Sequence, residues 1–403
     1  MDNQNVDLLI IGGGLTGASL MLALAQTPYR IALVETKPFS SMIEPHFDAR
    51  SLALSPASVR ILQMLGVWPL LLPYVCPIET IHISERFGLG CAQLHAENDS
   101  KLGYVVELQH INHALHQCLD LNQVIAPAEL VDLDKDQGIA TIRRNSTLLR
   151  IKAKLIVAAD GVNSSVRKFC GLNARVKDYH QHAIVANIGL ARPHQYIAYE
   201  RFSTSGPLAL LPMNGLRVSM VWALPTHVAK STMALNDRDF LNQLQKTFGY
   251  RLGRFTSIGT RMTYPLRQVI MPQQVLSSIV FVGNAAHTLH PVAGQGFNLG
   301  LRDVAMLAQC IAHQGIENPS MLAQYAALRV DDQRNMSRLT DGLIQLFTSQ
   351  LPGVSCIRRA GLVVFDQIPA LKALFARYAR GFSGISPDLV CNIPLLRPIH
   401  EQP

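Results

Sequence analysis

The alternation of apolar and polar positions changes character along this chain, and each change predicts a layer of structure. Val6–Ile11 is nearly all apolar, the mark of a strand buried on both faces of a parallel sheet. A glycine-rich run follows, then a helical pattern over Ala18–Gln26 that Thr27-Pro28 stops. Ile31–Val34 is the next buried strand and ends in Glu35. Ser55-Pro56 opens a helix, with proline at its first position, that runs to about Leu65 and stops at Gly66. Ile78–Ser84 alternates as a half-exposed antiparallel strand does. Tyr104–Glu107 is a short strand, and a helix begins at Gln109. Leu130–Arg150 alternates around a hairpin turn at Asp134–Gly138. Leu155–Ala159 is again a buried strand. It ends in Asp160-Gly161, and Asn163–Arg167 opens a helix.

Between Tyr179 and Arg267 a period of two takes over. Ala183–Leu190, Tyr196–Phe202, Pro207–Pro212 and Arg217–Ala223 predict an antiparallel sheet, with Asn214-Gly215 as a hairpin turn and a helix over Asp237–Thr247. Ile279–Val282 returns to an all-apolar strand. The rest is helical: about Asn298 to Ala312, then from Asn318-Pro319-Ser320 to about Phe347. In a last helix Leu371, Leu374, Phe375 and Tyr378 share a face. The last 53 residues carry six basic and three acidic side chains, which suits a helix lying on an anionic membrane as well as one packed on its own protein.

Composition narrows the class. Hydrophobic residues make up 48% of 403 positions and charged residues only 16%, enough for a large core. Mean hydropathy is +0.17, yet no apolar run reaches the length of a membrane-spanning helix. The start Met1-Asp2-Asn3-Gln4-Asn5 is polar and acidic, unlike a secretory signal, which predicts a cytoplasmic protein. Seven cysteines (76, 91, 118, 170, 310, 356 and 391) are scattered, with no C-x-x-C pair, so neither a disulfide framework nor a metal site is expected. The formal charge of +8 comes without a basic stripe interleaved with aromatics, so nucleic acid is not the expected partner. An anionic cofactor or an anionic membrane surface accounts for it as well.

Three motifs carry chemistry. Gly12-Gly13-Gly14-Leu15-Thr16-Gly17 matches G-x-G-x-x-G and sits between a strand and a helix, the full context of a dinucleotide-binding turn. Gly12 permits the turn, Gly14 lets a pyrophosphate approach, and Gly17 lets the helix lie close. Glu35 can accept hydrogen bonds from a ribose. Asp160-Gly161 ends a buried strand where such sheets bind ligands, although an ordinary turn reads the same way alone. Gly283–Asp303, GNAAHTLHPVAGQGFNLGLRD, is a strand–turn–helix that points backbone N–H groups at an anion or an electron-rich ring edge. Arg50, just before a helix, reads either as a surface residue or as a phosphate partner.

These motifs, in this order, together resemble the flavin-dependent aromatic hydroxylases of the para-hydroxybenzoate hydroxylase fold group. The matches around DARSLALSPAS, ERFSTSGPLALLPM and the Gly283 stretch resemble the ubiquinone-biosynthesis hydroxylases, of the 2-octaprenyl-6-methoxyphenol type. The resemblance implies an α/β fold. It has a discontinuous Rossmann-like FAD-binding domain of the glutathione-reductase type (residues 1–75, 101–178 and 276–345) and an antiparallel-sheet substrate domain (76–100 and 179–275). Helices follow over 346–403. It implies FAD contacts at Gly12, Gly14, Leu15, Thr16, Gly17, Glu35, Arg50, Gln109, Asp160, Gly161, Arg167, Gly283, Asn284, Pro291, Gly294, Gln295, Gly296 and Asn298. Asn284 stands where the family usually has aspartate; it keeps the hydrogen bonds to a ribityl hydroxyl but not the charge. The implied reaction is hydroxylation of a polyprenylated phenol through a flavin C4a-hydroperoxide, with NADH or NADPH as reductant and O2 as co-substrate. A complex of quinone-biosynthesis enzymes and a peripheral place on the inner membrane are implied as well. The flavin carries this chemistry, so no essential acid or base is named; His290 and Tyr264 are the weaker candidates for deprotonating the phenol. A different ring carbon, a flavin-dependent reductase and a non-catalytic subunit of the complex stay open as alternatives.

Overall fold

A computed structural model of the chain describes residues 2–39, 50–86, 88, 90–96, 101–290, 294–348, 365–382 and 384–396. Phe47–Ala49, Pro291, Cys356, Arg358, Arg359, Arg397 and Glu401 lie outside the described residues.

The chain opens as the pattern predicts. Strand β1 (Asp2–Ile11) pairs in parallel with β2 (Ile31–Val34), and helix α1 (Leu15–Ala23) connects them. On the other side of β1 lies β11 (Thr147–Ala158), also parallel, with Ile11 opposite Ala158. Outward from β11 comes β19 (Ile279–Phe281), and outward from β2 comes β8 (Val124–Ile125). An antiparallel β18 (Val275–Leu276) closes that edge, while β9 (Glu129–Asp134) and β10 (Ile139–Arg144) fold as a hairpin onto the first half of β11. Leu8 and Ile10 of β1 pack into a cluster with α1, α2 (Pro56–Met64), α3 (Trp68–Leu71), α4 (Leu108–Cys118) and α8 (Gln295–Gln314). Leu9 and Ile11 point the other way, into a cluster with β10 and α5 (Ser165–Phe169). Both faces are covered, which is why β1 reads as a continuous apolar run. The parallel strands end together, so the residues that follow β1, β2, β11 and β19 meet at one edge: Gly12, Glu35, Asp160 and Gly283.

A small sheet of β3 (Ser51–Leu54), β7 (Gly103–Glu107) and β4 (Cys76–Ile78) lies beside this edge. The second large sheet runs β20 (His287–Thr288), β17 (Met262–Ile270), β12 (Arg175–Leu190), β15 (Arg217–Pro225), β14 (Gly206–Met213), β13 (Ile197–Ser203), β5 (Thr80–Glu85), β6 (Cys91–His95). A further strand, β16 (Phe255–Ile258), pairs with β12. This sheet differs from the expectation in one way: β13 and β5 pair in parallel, because β5 comes from a distant part of the chain rather than a hairpin. Its outer face packs Ile184, Leu208, Met220 and Trp222 against α6 (Thr226–Met233) and α7 (Asp237–Phe248). Its inner face turns toward the small sheet and toward α9 (Met321–Thr348) and α10 (Pro369–Ala379).

Candidate cofactor and substrate site

The first glycine turn is built so that only glycine fits. A Cβ on Gly12, whose φ is +104°, would lie 2.6 Å from the Ala159 carbonyl oxygen, and one on Gly17 would lie 1.9 Å from the Gly12 oxygen. Gly14 differs: nothing lies within 4 Å of where its Cβ would be. That open space faces the start of α1, which has no side-chain cap and no acid in its first turn. Its first N–H groups are therefore free to meet an anion, with the helix dipole in their favour. The Gly13 N–H donates to Glu35 Oε2 at 2.6 Å, which fixes the carboxylate beside the turn. Glu35 Oε1 accepts from the Lys37 N–H at 2.9 Å. His116 of α4 meets the Gly13 carbonyl oxygen at 3.1 Å and stacks on Phe39 with ring centroids 3.7 Å apart. Sequence reading had given the histidines of α4 no role.

The other two motifs close on this turn. The Cα of Asp160 would lie 2.8 Å from a Cβ on Gly12. Asp160 Oδ2 accepts from the Ser165 and Val166 N–H groups and the Ser165 hydroxyl, so it caps α5, whereas its buried Oδ1 has no partner among the described residues. A buried, unpartnered carboxylate oxygen at the strand end fits a ligand hydroxyl or N–H. Gly283 (φ +56°) comes so near Thr16 that a Cβ would sit 2.7 Å from its hydroxyl oxygen, and Gly300 of α8 lies against Gly283 in turn. Asn284 is exposed beside this contact. Gly294 caps α8 in the left-handed conformation with no side-chain cap, and no atom of the described residues lies within 4 Å of where a Cβ on Gly296 would be. Helices α1 and α8 thus both present uncapped N-termini.

Behind Gly283 lies a group of charges that the motifs did not announce. Asp303 is fully buried and accepts from the Gly283 N–H at 3.2 Å, Arg329 Nε at 2.8 Å, Gln333 Nε2 at 2.9 Å and His287 Nε2 at 2.5 Å. Arg329 Nη1 and Arg302 Nε both donate to Asp332 Oδ2, at 2.7 and 2.8 Å. Burial works against the charged form of Asp303, but His287 and Arg329 outweigh it and hold the carboxyl far below the ordinary aspartate range. Asp332 is lowered in the same way, burial being outweighed by Arg302 and Arg329. Asp303 was legible only as the last residue of the motif; His287 belongs to the same motif, but Arg329 and Gln333 come from α9, about a turn of helix apart, and no sequence spacing links them to Gly283.

Several expected cofactor residues spend their side chains within the protein. All the polar contacts of Asn298 are internal: its Oδ1 accepts from the Ser55 N–H and Ser58 hydroxyl, and its Nδ2 donates to the Ala53 and Gly294 carbonyls. It clamps β3 and α2 onto α8. Arg167 donates to the Ala285 and Val162 carbonyls and so ties α5 to the Gly283 turn. Gln109 donates to Glu107 at 3.1 Å, and Gln295 to the Ala379 carbonyl at 3.4 Å. Arg50 is exposed, with its guanidinium 5.6 Å from the Tyr264 ring centroid. The Tyr264 hydroxyl donates to Met262 Sδ at 3.2 Å. His290, the other candidate base, is 1% exposed against the Tyr179 ring, and burial pushes its pKa down to about 4.

Residues 5–339 match the model of the FAD binding domain family. The chain is 35% identical to the ubiquinone hydroxylase UbiL of Rhodospirillum rubrum, over 96% of this chain and 93% of that protein. It is 29% identical to the 3-demethoxyubiquinol 3-hydroxylase of Escherichia coli, over 94% of this chain and 100% of that one. Among solved structures, p-nitrophenol 4-monooxygenase PnpA of Pseudomonas putida DLL-E4 superposes with a TM-score of 0.76 at 14% identity, covering 95% of this chain and 99% of that chain.

Proposed function

This chain belongs to the FAD binding domain family and, within it, to the ubiquinone hydroxylases; from that premise we propose that it hydroxylates the ring of a polyprenylated phenol, of the 2-octaprenyl-6-methoxyphenol type. It is an FAD-dependent monooxygenase. The observation that carries the reading is the meeting of Gly12, Asp160, Thr16 and Gly283 around the open N-terminus of α1.

In this proposal Gly12, Gly14, Leu15, Thr16 and Gly17 receive the FAD pyrophosphate on α1, where glycine contacts leave room and uncapped N–H groups supply the donors. Glu35 holds the adenosine ribose, already oriented by Gly13. Asp160 Oδ1 and Asn284 take ribityl or pyrophosphate-side hydroxyls. Gly294 and Gly296, at the start of α8, lie beside the ring, where backbone N–H groups stabilise negative charge on its pyrimidine edge. Arg167 and Asn298 act at one remove: they fix the Gly283 turn and the α8 start. Bound FAD supplies the relay of electrons from NADH or NADPH and the activation of O2.

The substrate's tail calls for apolar surface. An apolar groove of about 410 Å³ between α9 and α10, lined by Leu339, Phe365, Leu371, Leu374 and Phe375 with Arg338 at its side, supports contact with a bilayer holding such a tail. No described helix is long and apolar enough to cross a membrane. The test is genetic and chemical. A strain lacking this protein accumulates one prenylated precursor, and purified yellow protein converts that precursor only when O2 and a reductant are present. Turnover that continues without O2 would replace hydroxylation by a reductase activity.

A further inference from the structure

The stretch ERFSTSGPLALLPM forms β13 and β14, and the cofactor turns leave it unused. Its first residue is Glu200. On β13, Tyr199 faces outward into the core with α7, so Glu200 faces inward with Ala198 and Phe202. Ile83 of β5 and Ala209 of β14 lie opposite it across the strands, neither offering a polar group. The wall beside it is aromatic: Phe202 stacks on Phe347 of α9 with centroids 3.7 Å apart. Glu200 has no ion pair or hydrogen bond among the described residues. It lies deep in the protein, yet part of its surface stays accessible.

The face that carries Glu200 turns toward the cofactor turns. Ala198, next along the same face, packs with Ile78, Val105 and Met213 in a cluster that Ala53 joins from β3. Ala53 in turn is the atom group that a Cβ on Gly294 would meet, at 3.3 Å. A chain of direct neighbours therefore links the start of α8 to the face that carries Glu200. An apolar and aromatic face that carries a carboxyl suits a neutral ring bearing one acidic hydroxyl.

We propose that Glu200 binds the phenolic hydroxyl of the substrate and takes its proton. The phenolic O–H bond breaks, its electron pair stays on oxygen, and the proton joins a Glu200 Oε. The phenolate feeds electron density into the ring carbon that receives oxygen, which is where the FAD-dependent hydroxylation needs it. The inference rests on the hydroxylase reading above. Burial alone pushes Glu200 up to about 7, where a carboxyl is poised to exchange a proton at neutral pH. The ionisable groups on the elements around it do not contribute to that shift. His82 lies with Tyr199, and Arg201 reaches Thr247, both on the opposite face. Glu85 of β5, opposite Phe202, is buried on the same face as Glu200 and adds nothing to the shift; β14 has no ionisable group, and on α9 Asp341 is engaged by Lys177 and Tyr179 while Arg338 is exposed.

The test is the pH dependence of kcat/KM for FAD-loaded protein acting on a short-chain prenylphenol. The parent shows an acid limb near 7. Glu200→Gln loses the limb and falls about 10²–10⁴-fold, the usual weight of a positioned base, while Glu200→Asp keeps the limb. Flavin content stays at the parent's level in both. A second readout needs no turnover: on mixing with oxidised protein, the phenol gains phenolate absorbance in the parent but not in Glu200→Gln. A Gln variant with the parent's rate and limb, or one that sheds its flavin, overturns the proposal. If the parent hydroxylates no prenylphenol, the hydroxylase reading fails by itself, and the binding spectrum still decides whether Glu200 deprotonates a bound phenol.

Discussion

Asp303 and Glu200 are both carboxyls withdrawn from water, and their surroundings are opposite. Asp303 meets His287, Arg329, Gln333 and the Gly283 N–H, and is held charged. Glu200 meets no partner among the described residues, and burial holds it near the point of protonation. The first arrangement spends every lone pair on the protein and leaves nothing for a ligand. It fixes the Gly283 turn, next to Asn284. The second leaves a carboxyl with no partner among the described residues, open to a ligand. On the proposal above, the partnered carboxyl belongs to the scaffold and the unpartnered one to the chemistry.

Asp303→Ala presses hardest on that contrast. It leaves Arg329 and His287 facing a buried gap, which costs about 3–5 kcal/mol of stability, and flavin is lost with it. Denaturant unfolding with flavin release as a second probe measures this; a variant as stable as the parent breaks the scaffold half of the comparison. Asn298→Ala comes next. It strands the Ser55 N–H and the Ala53 and Gly294 carbonyls, at a cost of roughly 1–3 kcal/mol, read as a lower melting temperature with the flavin spectrum retained.

The pH dependence of stability sharpens the contrast, because the signs differ. Asp303 has a lowered folded pKa, so its contribution is complete above the ordinary aspartate range and is lost only as pH falls through the lowered value. Glu200 has a raised folded pKa, so its contribution is complete below the ordinary glutamate range and is lost as pH rises through about 7. Glu200→Gln therefore flattens the decline in stability over that upper window and leaves the acid end unchanged, as melting temperatures across a pH series will show. The smallest effect belongs to Lys154, an exposed side chain between Asp7 and Glu317. Lys154→Ala leaves the melting temperature unchanged within error, since solvent and salt screen such pairs; a large drop there would mean that exposed charge matters as much as buried charge.

The cofactor side of the fold was readable because each of its residues follows a strand whose apolar run is unbroken. Glycine positions that admit no Cβ stand where the pattern put them, at Gly12, Gly17 and Gly283. What the pattern could not give is which way a polar side chain turns. Asn298 and Arg167 look like ligand contacts in sequence, yet each also holds neighbours that only packing brings near. The Asp303 group joins α8 to α9 and to the Gly283 turn, and no local spacing encodes that. The parallel pairing of β13 with β5 was hidden for the same reason, since the partners lie more than a hundred residues apart in sequence. Glu200 was visible as part of a motif, but its isolation is a property of the folded surroundings.

The most direct measurement follows the oxygen atom. Purified FAD-loaded protein is supplied with reductant, a prenylphenol and isotopically labelled O2, and the product is weighed by mass spectrometry. The account predicts one labelled oxygen in the new ring hydroxyl for each product formed. Product that carries oxygen from water, or substrate conversion that proceeds with O2 removed, would contradict it.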